Sequence, residues 1–170
     1  MDTRHAVTTT RLGEITLMAE ADALVGLYFP HHWYRPSQAA FGPGVRPSAD
    51  PLLSEAAAQL DEYLRGDRRA FDLRTATRGD AFQERVWALL KEIPFGETTT
   101  YGALADALGE RTLARSVGEA VGRNPLSVVI PCHRVVGKDG RLTGYAGGLQ
   151  RKRFLLELEE PALVKAGRLV

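Results

Sequence analysis

The sequence predicts an α+β protein in two parts, a small antiparallel sheet with one helix followed by a helical region built around a single cysteine. Three observations carry this. Short β-rich runs at 6–10, 15–19 and 25–29 are separated by Gly13 and by polar residues 20–22, the pattern of a meander. Beyond Asp80 the apolar residues recur instead at helical spacing. Finally, Cys132 is the only cysteine in the 170 residues, and it stands in the stretch VVIPCHRVVG at 128–137.

Composition bounds the problem. Apolar content of 44% and 25% charged residues describe an ordinary globular chain. No run approaches the roughly 18 apolar residues of a membrane span. The start, MDTRHAV, shows no basic region followed by an apolar one, and one cysteine cannot form an internal disulfide; both lead to the expectation of a cytoplasmic protein. Net charge is only +1, but its distribution is uneven. Residues 111–153 carry nine basic groups (Arg111, Arg115, Arg123, Arg134, Lys138, Arg141, Arg151, Lys152, Arg153) against Glu119 and Asp139, a local balance of +7. Such a footprint suits a polyanion.

In chain order, the meander is followed by a proline-rich loop at 30–51 that opens with His31 and His32, for which no metal role is expected. Leu53, Ala57, Leu60 and Leu64 then mark a helix that Gly66 stops. The charged segment 67–79 is a candidate linker, giving domains at 1–78 and 79–170. Asp80 can cap a helix whose stripe is Phe82, Val86, Leu89, Leu90 and Ile93, ending before Pro94. Thr100 can cap 101–108, with Gly109 closing it, and Thr112 can cap a second helix over 113–122. Two short helices joined by a glycine-containing turn are the pattern of a helix-turn-helix.

The second of these helices has an unusual face. Arg115, Gly118 and Gly122 share it, with Ala114 and Ser116 beside them. An interior glycine costs roughly 1 kcal/mol relative to alanine, so something must approach Gly118 closely, either another helix or DNA. Small residues with one long cation suit a minor groove. Farther along, residues 128–130 read as a short buried strand. Pro131 stiffens the backbone before Cys132, and His133 can hold or relay a proton and favour thiolate over thiol.

The segments FQERVW (82–87), PFGETTTYGALA (94–105), ARSVGEAVGRNP (114–125), IPCHRVV (130–136) and GYAGGLQRKRFLLELE (144–159) resemble the O6-alkylguanine-DNA alkyltransferases. The resemblance covers about residues 80–160. It implies a ribonuclease-H-like N-terminal lobe, a winged-helix-like C-terminal lobe and repair of double-stranded DNA containing alkylated bases, with the alkyl group moved irreversibly to Cys132 after nucleotide flipping. On the matching positions, Cys132 is the nucleophile and His133 the base, acting through a water because neighbours on an extended backbone point to opposite sides. Glu159 orients the histidine. Tyr101 assists rotation and donates to the leaving base, and Asn124 braces the helix-turn-helix against the active-site segment. Tyr101, Ala114, Arg115, Ser116, Gly118 and Arg134 are the expected DNA contacts, Arg134 being more structural than catalytic. Tyr101, Val135, Tyr145, Ala146 and Gly147 are the expected pocket. Ala146 stands where some relatives carry a hydroxyl, so a backbone amide is expected to serve the leaving oxygen. No cofactor, metal or membrane is implied, and the chain is expected to be a monomer in solution.

Three rival readings have definite signatures. A non-catalytic sensor of alkylated DNA would not use Cys132. A cysteine hydrolase with a Cys–His–Glu set would turn over repeatedly. A transcription regulator would need a dimerisation segment, and none is visible.

Overall fold

The computed structural model describes residues 3–160. Among them the chain divides into two compact units: residues 3–77 with Pro125–Val129, and residues 78–124 with 130–160. The five residues Pro125–Val129, which the sequence places in the C-terminal domain, thus cluster with the N-terminal one.

The N-terminal unit is a meander of β1 (Thr3–Thr10), β2 (Gly13–Glu20) and β3 (Ala23–Tyr28), each antiparallel to the next. Gly13, at φ +94, and Ala21, at φ +52, supply the left-handed residues of the two tight turns. Ile15, Leu17 and Ala19 are all fully buried, the period-two signature of a sheet with one covered face. The linker expected at 67–79 does more than connect. Leu24 donates to the Arg74 carbonyl at 2.9 Å and accepts from the Ala76 N–H at 3.1 Å, so its middle pairs alongside β3.

Helix α1 (Pro51–Leu64) begins with proline at its first position, where no N–H is needed, and with Asp50 as cap, its carboxylate accepting from Leu53 N–H at 3.1 Å. The helix buries Leu53, Ala56, Leu60, Tyr63 and Leu64, and Gly66 at φ +85 follows its end. Gln59, also buried, uses its side-chain amide to bond Asp72 on both backbone groups, at 2.8 and 3.0 Å.

In the C-terminal unit, α2 (Ala81–Lys91) opens with a capping box in which Asp80 and Gln83 bond each other's backbone N–H. It is followed by β4 (Thr99–Thr100), α3 (Tyr101–Ala107), α4 (Ala114–Gly122), β5 (Val135–Val136) and α5 (Leu149–Glu159), with β4 and β5 paired in parallel. Thr100 caps α3 as expected, through Ala103 N–H at 3.1 Å. Thr112 does not cap α4: a 3-10 turn, Arg111–Leu113, precedes the helix, and the Thr112 hydroxyl bonds Glu110 instead. What secures α4 is Trp87, whose buried indole N–H donates to the Ala120 carbonyl at 2.8 Å. Gly79 makes room for that indole, since a Cβ there would stand 2.6 Å from the ring. No described helix is long and apolar enough to cross a membrane.

Candidate active site

The residues before Cys132 do not form the expected strand. Val129 N–H donates to the Ser127 carbonyl at 2.9 Å across Val128, which sits at φ +72. That is the rare, strained form of the three-residue γ-turn, and in a β-branched residue the backbone costs of order 1–3 kcal/mol. Cys132 N–H then donates to the Ile130 carbonyl at 2.7 Å across Pro131, at φ −79 and ψ 64, the common inverse form. Proline, with φ fixed near this value and no N–H to lose, suits the second turn. The Asn124 side-chain amide donates to Ile130 C=O at 2.8 Å and closes the base of the excursion.

Cys132, His133 and Arg134 form a single 3-10 turn, not an extended run, and all three are buried. The expectation that His133 and Cys132 face opposite ways along extended chain therefore lapses. His133 Nε2 lies 2.7 Å from Glu159 Oε2, at the last residue of α5. Arg134 grips the same carboxylate, Nε to Oε1 at 2.8 Å and Nη2 to Oε2 at 3.0 Å, while Nη1 donates to Ile93 C=O at 2.6 Å and the guanidinium lies over Phe95.

Burial sets the protonation of this cluster. It pushes the Glu159 carboxyl up, to about 8, with the Gly96 N–H opposing. The Arg134 fork also favours the ionised form, and Arg134, brought down by burial to about 10, remains charged at neutral pH. His133 is held well below its ordinary 6.5, first by burial and then by the charges of Arg134 and Lys152. When Glu159 is ionised, the neutral ring facing it carries its proton on Nε2. Nδ1 then keeps its lone pair, and this buried atom has no hydrogen-bond partner among the protein groups. The arrangement is that of a histidine oriented by an acid and ready to accept a proton.

Arg134 was expected among the DNA contacts, and its burial corrects this. With its side chain 9% exposed and its donors committed to Glu159 and Ile93, it faces the interior. Lys152 was missed as a site residue. It is fully buried, and its Nζ donates to the carbonyls of Val135 and Thr143, the latter at 2.8 Å. Burial lowers it to about 8 while the charge of Cys132 pulls it back up. Its spacing was the signal available: Lys152, Leu155, Leu156 and Glu159 share one face of α5, so a lysine stands inside an apolar stripe.

The expected pocket residues Val135, Tyr145, Ala146 and Gly147 are all buried, and Lys152 ties their two segments together through Val135 and Thr143. Tyr101 is half-buried, accepts from the Thr143 hydroxyl at 3.4 Å, and is raised above its usual phenol value by burial, with the charge of Cys132 adding to the rise. Its phenol is therefore a proton-bearing donor near the sulfur. The close neighbour expected at Gly118 is the Tyr101 ring, 3.7 Å from where a Cβ would stand. Ala114 is half-buried, while Arg115 and Ser116 on the first turn of α4 are exposed. The basic footprint is thinner than its residue count suggests: Arg134 and Lys152 are interior, and Arg111 and Arg123 pair with Asp106 and Glu119. Among the described residues no group of three or more His, Cys, Asp or Glu is placed to hold a metal.

Two family models span nearly the whole chain. Residues 3–77 match the ribonuclease-like domain of 6-O-methylguanine DNA methyltransferase, and residues 81–161 match its DNA-binding domain. The chain belongs to the 6-O-methylguanine DNA methyltransferase family. Among the relatives of this methyltransferase, a methylated-DNA–protein-cysteine methyltransferase of Mycobacterium tuberculosis is 44% identical over 150 residues, covering 88% of this chain and 87% of the relative. One from Methanosarcina acetivorans is 51% identical over 110 residues, 65% of this chain and 70% of the relative. A crystal structure of Mycobacterium tuberculosis OGT in complex with DNA is 40% identical, covers 93% of each chain and superposes with a TM-score of 0.81.

Proposed function

We propose that the protein repairs alkylated DNA by direct reversal, moving one alkyl group from O6 of a guanine to Cys132 and acting once per molecule. The observation that carries this is the buried His133–Glu159 pair, whose histidine shares a turn with the only cysteine and is held neutral. Family membership supplies the substrate class.

In the reaction, His133 Nδ1 takes the thiol proton, through a water if one lies between. The Cys132 sulfur then attacks the alkyl carbon. The carbon–O6 bond breaks, its electron pair passes to the base, and the proton that left the sulfur ends on the released guanine. A thioether and an unmodified guanine result, so atoms and charge balance and the sulfur is spent. Tyr101, protonated, donates to the base as negative charge develops there, and a backbone amide near Ala146 serves the oxygen. The target atom is inaccessible within the stack, so the nucleotide must rotate out at a cost of a few kcal/mol, less for a lesion that already pairs poorly. Arg115, exposed on the first turn of α4, fills the vacated place from the minor-groove side, and Ala114, Ser116 and Gly118 let the helix approach. Asn124 keeps Ile130 and the turn before Cys132 in register. O4-alkylthymine is a second substrate of the same chemistry, and the cytoplasm is the compartment in which a reduced thiol survives.

The test is mass spectrometry of the Cys132 peptide after incubation with duplex DNA containing O6-methylguanine. A gain of one methyl is expected, lost in Cys132→Ala, which still binds DNA. Unchanged mass with tight binding would make the protein a sensor, and many turnovers on an ester or amide would make it a hydrolase.

A further inference from the structure

The segment that leads into the nucleophile is gripped by a part of the protein to which the reaction assigns nothing. Between Asn124 and Ile130, which one side-chain hydrogen bond holds together, the chain makes a five-residue excursion that packs with the N-terminal unit. There Leu27 N–H donates to Pro125 C=O at 2.8 Å and Leu27 bridges to Leu126. Ser127, fully buried, meets His32 Nε2 through its hydroxyl at 3.4 Å. His32 is itself buried and fixed on its other edge, where Nδ1 accepts from Phe29 N–H at 3.2 Å. A lone pair on Nδ1 puts the ring proton on Nε2, so His32 donates and Ser127 accepts. Phe29, stacked on the ring at an interplanar angle of 13°, and Tyr28, edge-on to it, hold its plane.

The residue after Ser127 is Val128, the buried β-branched residue at φ +72. A backbone in that region persists only where its surroundings over-determine it, and such outliers mark places where strain serves a purpose. The Ser127 carbonyl closes the strained turn, and the Ser127 hydroxyl is held by His32. We propose that His32, acting through Ser127, is a positioning residue for alkyl transfer: it holds the strained turn at Val128 and thereby aims the Ile130–Pro131–Cys132 run at the alkylated base. The N-terminal unit takes part in the chemistry by this route although it carries none of the reacting groups.

The proposal rests on Cys132 being the alkyl acceptor, and its test separates the two ideas. Four full-length variants, His32→Ala, His32→Gln, Ser127→Ala and the double His32→Ala/Ser127→Ala, are compared with the native chain. Three quantities are read: the single-turnover rate at saturating protein on duplex O6-methylguanine, affinity for the same duplex, and the rate of Cys132 carbamidomethylation by iodoacetamide without DNA. His32→Ala and Ser127→Ala should each slow both reactions about tenfold while affinity stays within about twofold. His32→Gln, which keeps a donor for the hydroxyl, should recover most of the rate. The double variant should be no slower than either single one, as two residues acting through one contact require. Native rates in both single alanine variants, additive losses in the double, no recovery with glutamine, or a loss of affinity equal to the loss of rate would each overturn the proposal. If the native chain takes no methyl group at all, the repair reading fails, whereas the iodoacetamide comparison still decides the role of His32.

Discussion

The base role proposed for His133 requires an uncharged ring, and its surroundings keep it so. Burial and the charges of Arg134 and Lys152 hold its pKa well below 6.5, so the folded protein refuses a proton that the unfolded chain accepts near 6.5. The sign follows: below that value the unfolded state binds more protons, and stability falls as pH falls. Glu159, raised by burial, contributes with the opposite sign over this range, so the His133 share is read by difference: from about pH 7.5 to about pH 5.5 the urea midpoint of the native chain should fall relative to that of His133→Gln. Over the same range native transfer should show no titration step near 6.5, whereas a histidine-like step there would mean that the ring is not held neutral. His133→Ala should slow transfer by about 10²–10⁴, the usual contribution of a positioned base. Arg134 matters in another way. Breaking a buried pair leaves an uncompensated charge, so Arg134→Ala should cost about 3–5 kcal/mol in a denaturant titration, far more than the loss of an exposed phosphate contact.

Among the elements, α4 is the one whose sequence works least for its own helicity. It carries Gly118 and Gly122 and has no side-chain cap. Gly118, in the helix interior, costs roughly 1 kcal/mol against alanine. The helix therefore depends on tertiary contacts, above all the Trp87 indole on Ala120. Trp87→Phe should lower stability by about 2–3 kcal/mol, read from the urea midpoint, because a buried hydrogen bond is lost and the smaller ring leaves a cavity where the indole packs beside Gly79. Gly118→Ala should do the reverse. A methyl there would stand at ordinary contact distance from Tyr101, so the fold should gain about 0.5–1 kcal/mol. If DNA approaches this face, the same change should weaken duplex binding; unchanged affinity would show that Gly118 serves only the Tyr101 contact.

At this scale the sequence was readable where local rules govern. β-rich runs broken by Gly13 and the polar residues 20–22 marked the three strands to within a few residues. Asp80 and Thr100 were recognisable as caps, and Gly66 and Gly109, both left-handed, follow the helices they were expected to close. It was not readable where tertiary contacts override local preference. Val128–Val129–Ile130 has strand composition but is bent by two γ-turns, and nothing within three β-branched residues announces a left-handed valine. The arginine next to His133 looks like a phosphate contact until the fold buries it against Glu159. Ser127 and His32, ninety-five positions apart, could not be joined without the fold.

For the whole molecule, the two units divide the labour. The C-terminal one holds Cys132 and the His133–Glu159 pair, with the exposed start of α4 as the face proposed to meet DNA. In the N-terminal one, Arg4 and Asp50 form an ion pair that joins the first strand to the cap of α1. This pair holds the Asp50 carboxyl below its ordinary 3.8, so its contribution is present above that value and disappears as pH falls through the lower, folded pKa. Arg115→Ala should weaken repair of duplex DNA while sparing reaction with a free alkylated base; equal losses on the two substrates would remove its stack-filling role.

On the proposed mechanism the sulfur is consumed by its own reaction, which sets a stoichiometry. Titrating a fixed amount of protein with increasing duplex O6-methylguanine and counting restored guanines tests this most directly. The count should stop at one per molecule, with every Cys132 carrying a methyl thioether. Restoration continuing beyond one, or a plateau reached with the thiol still free, would contradict the account.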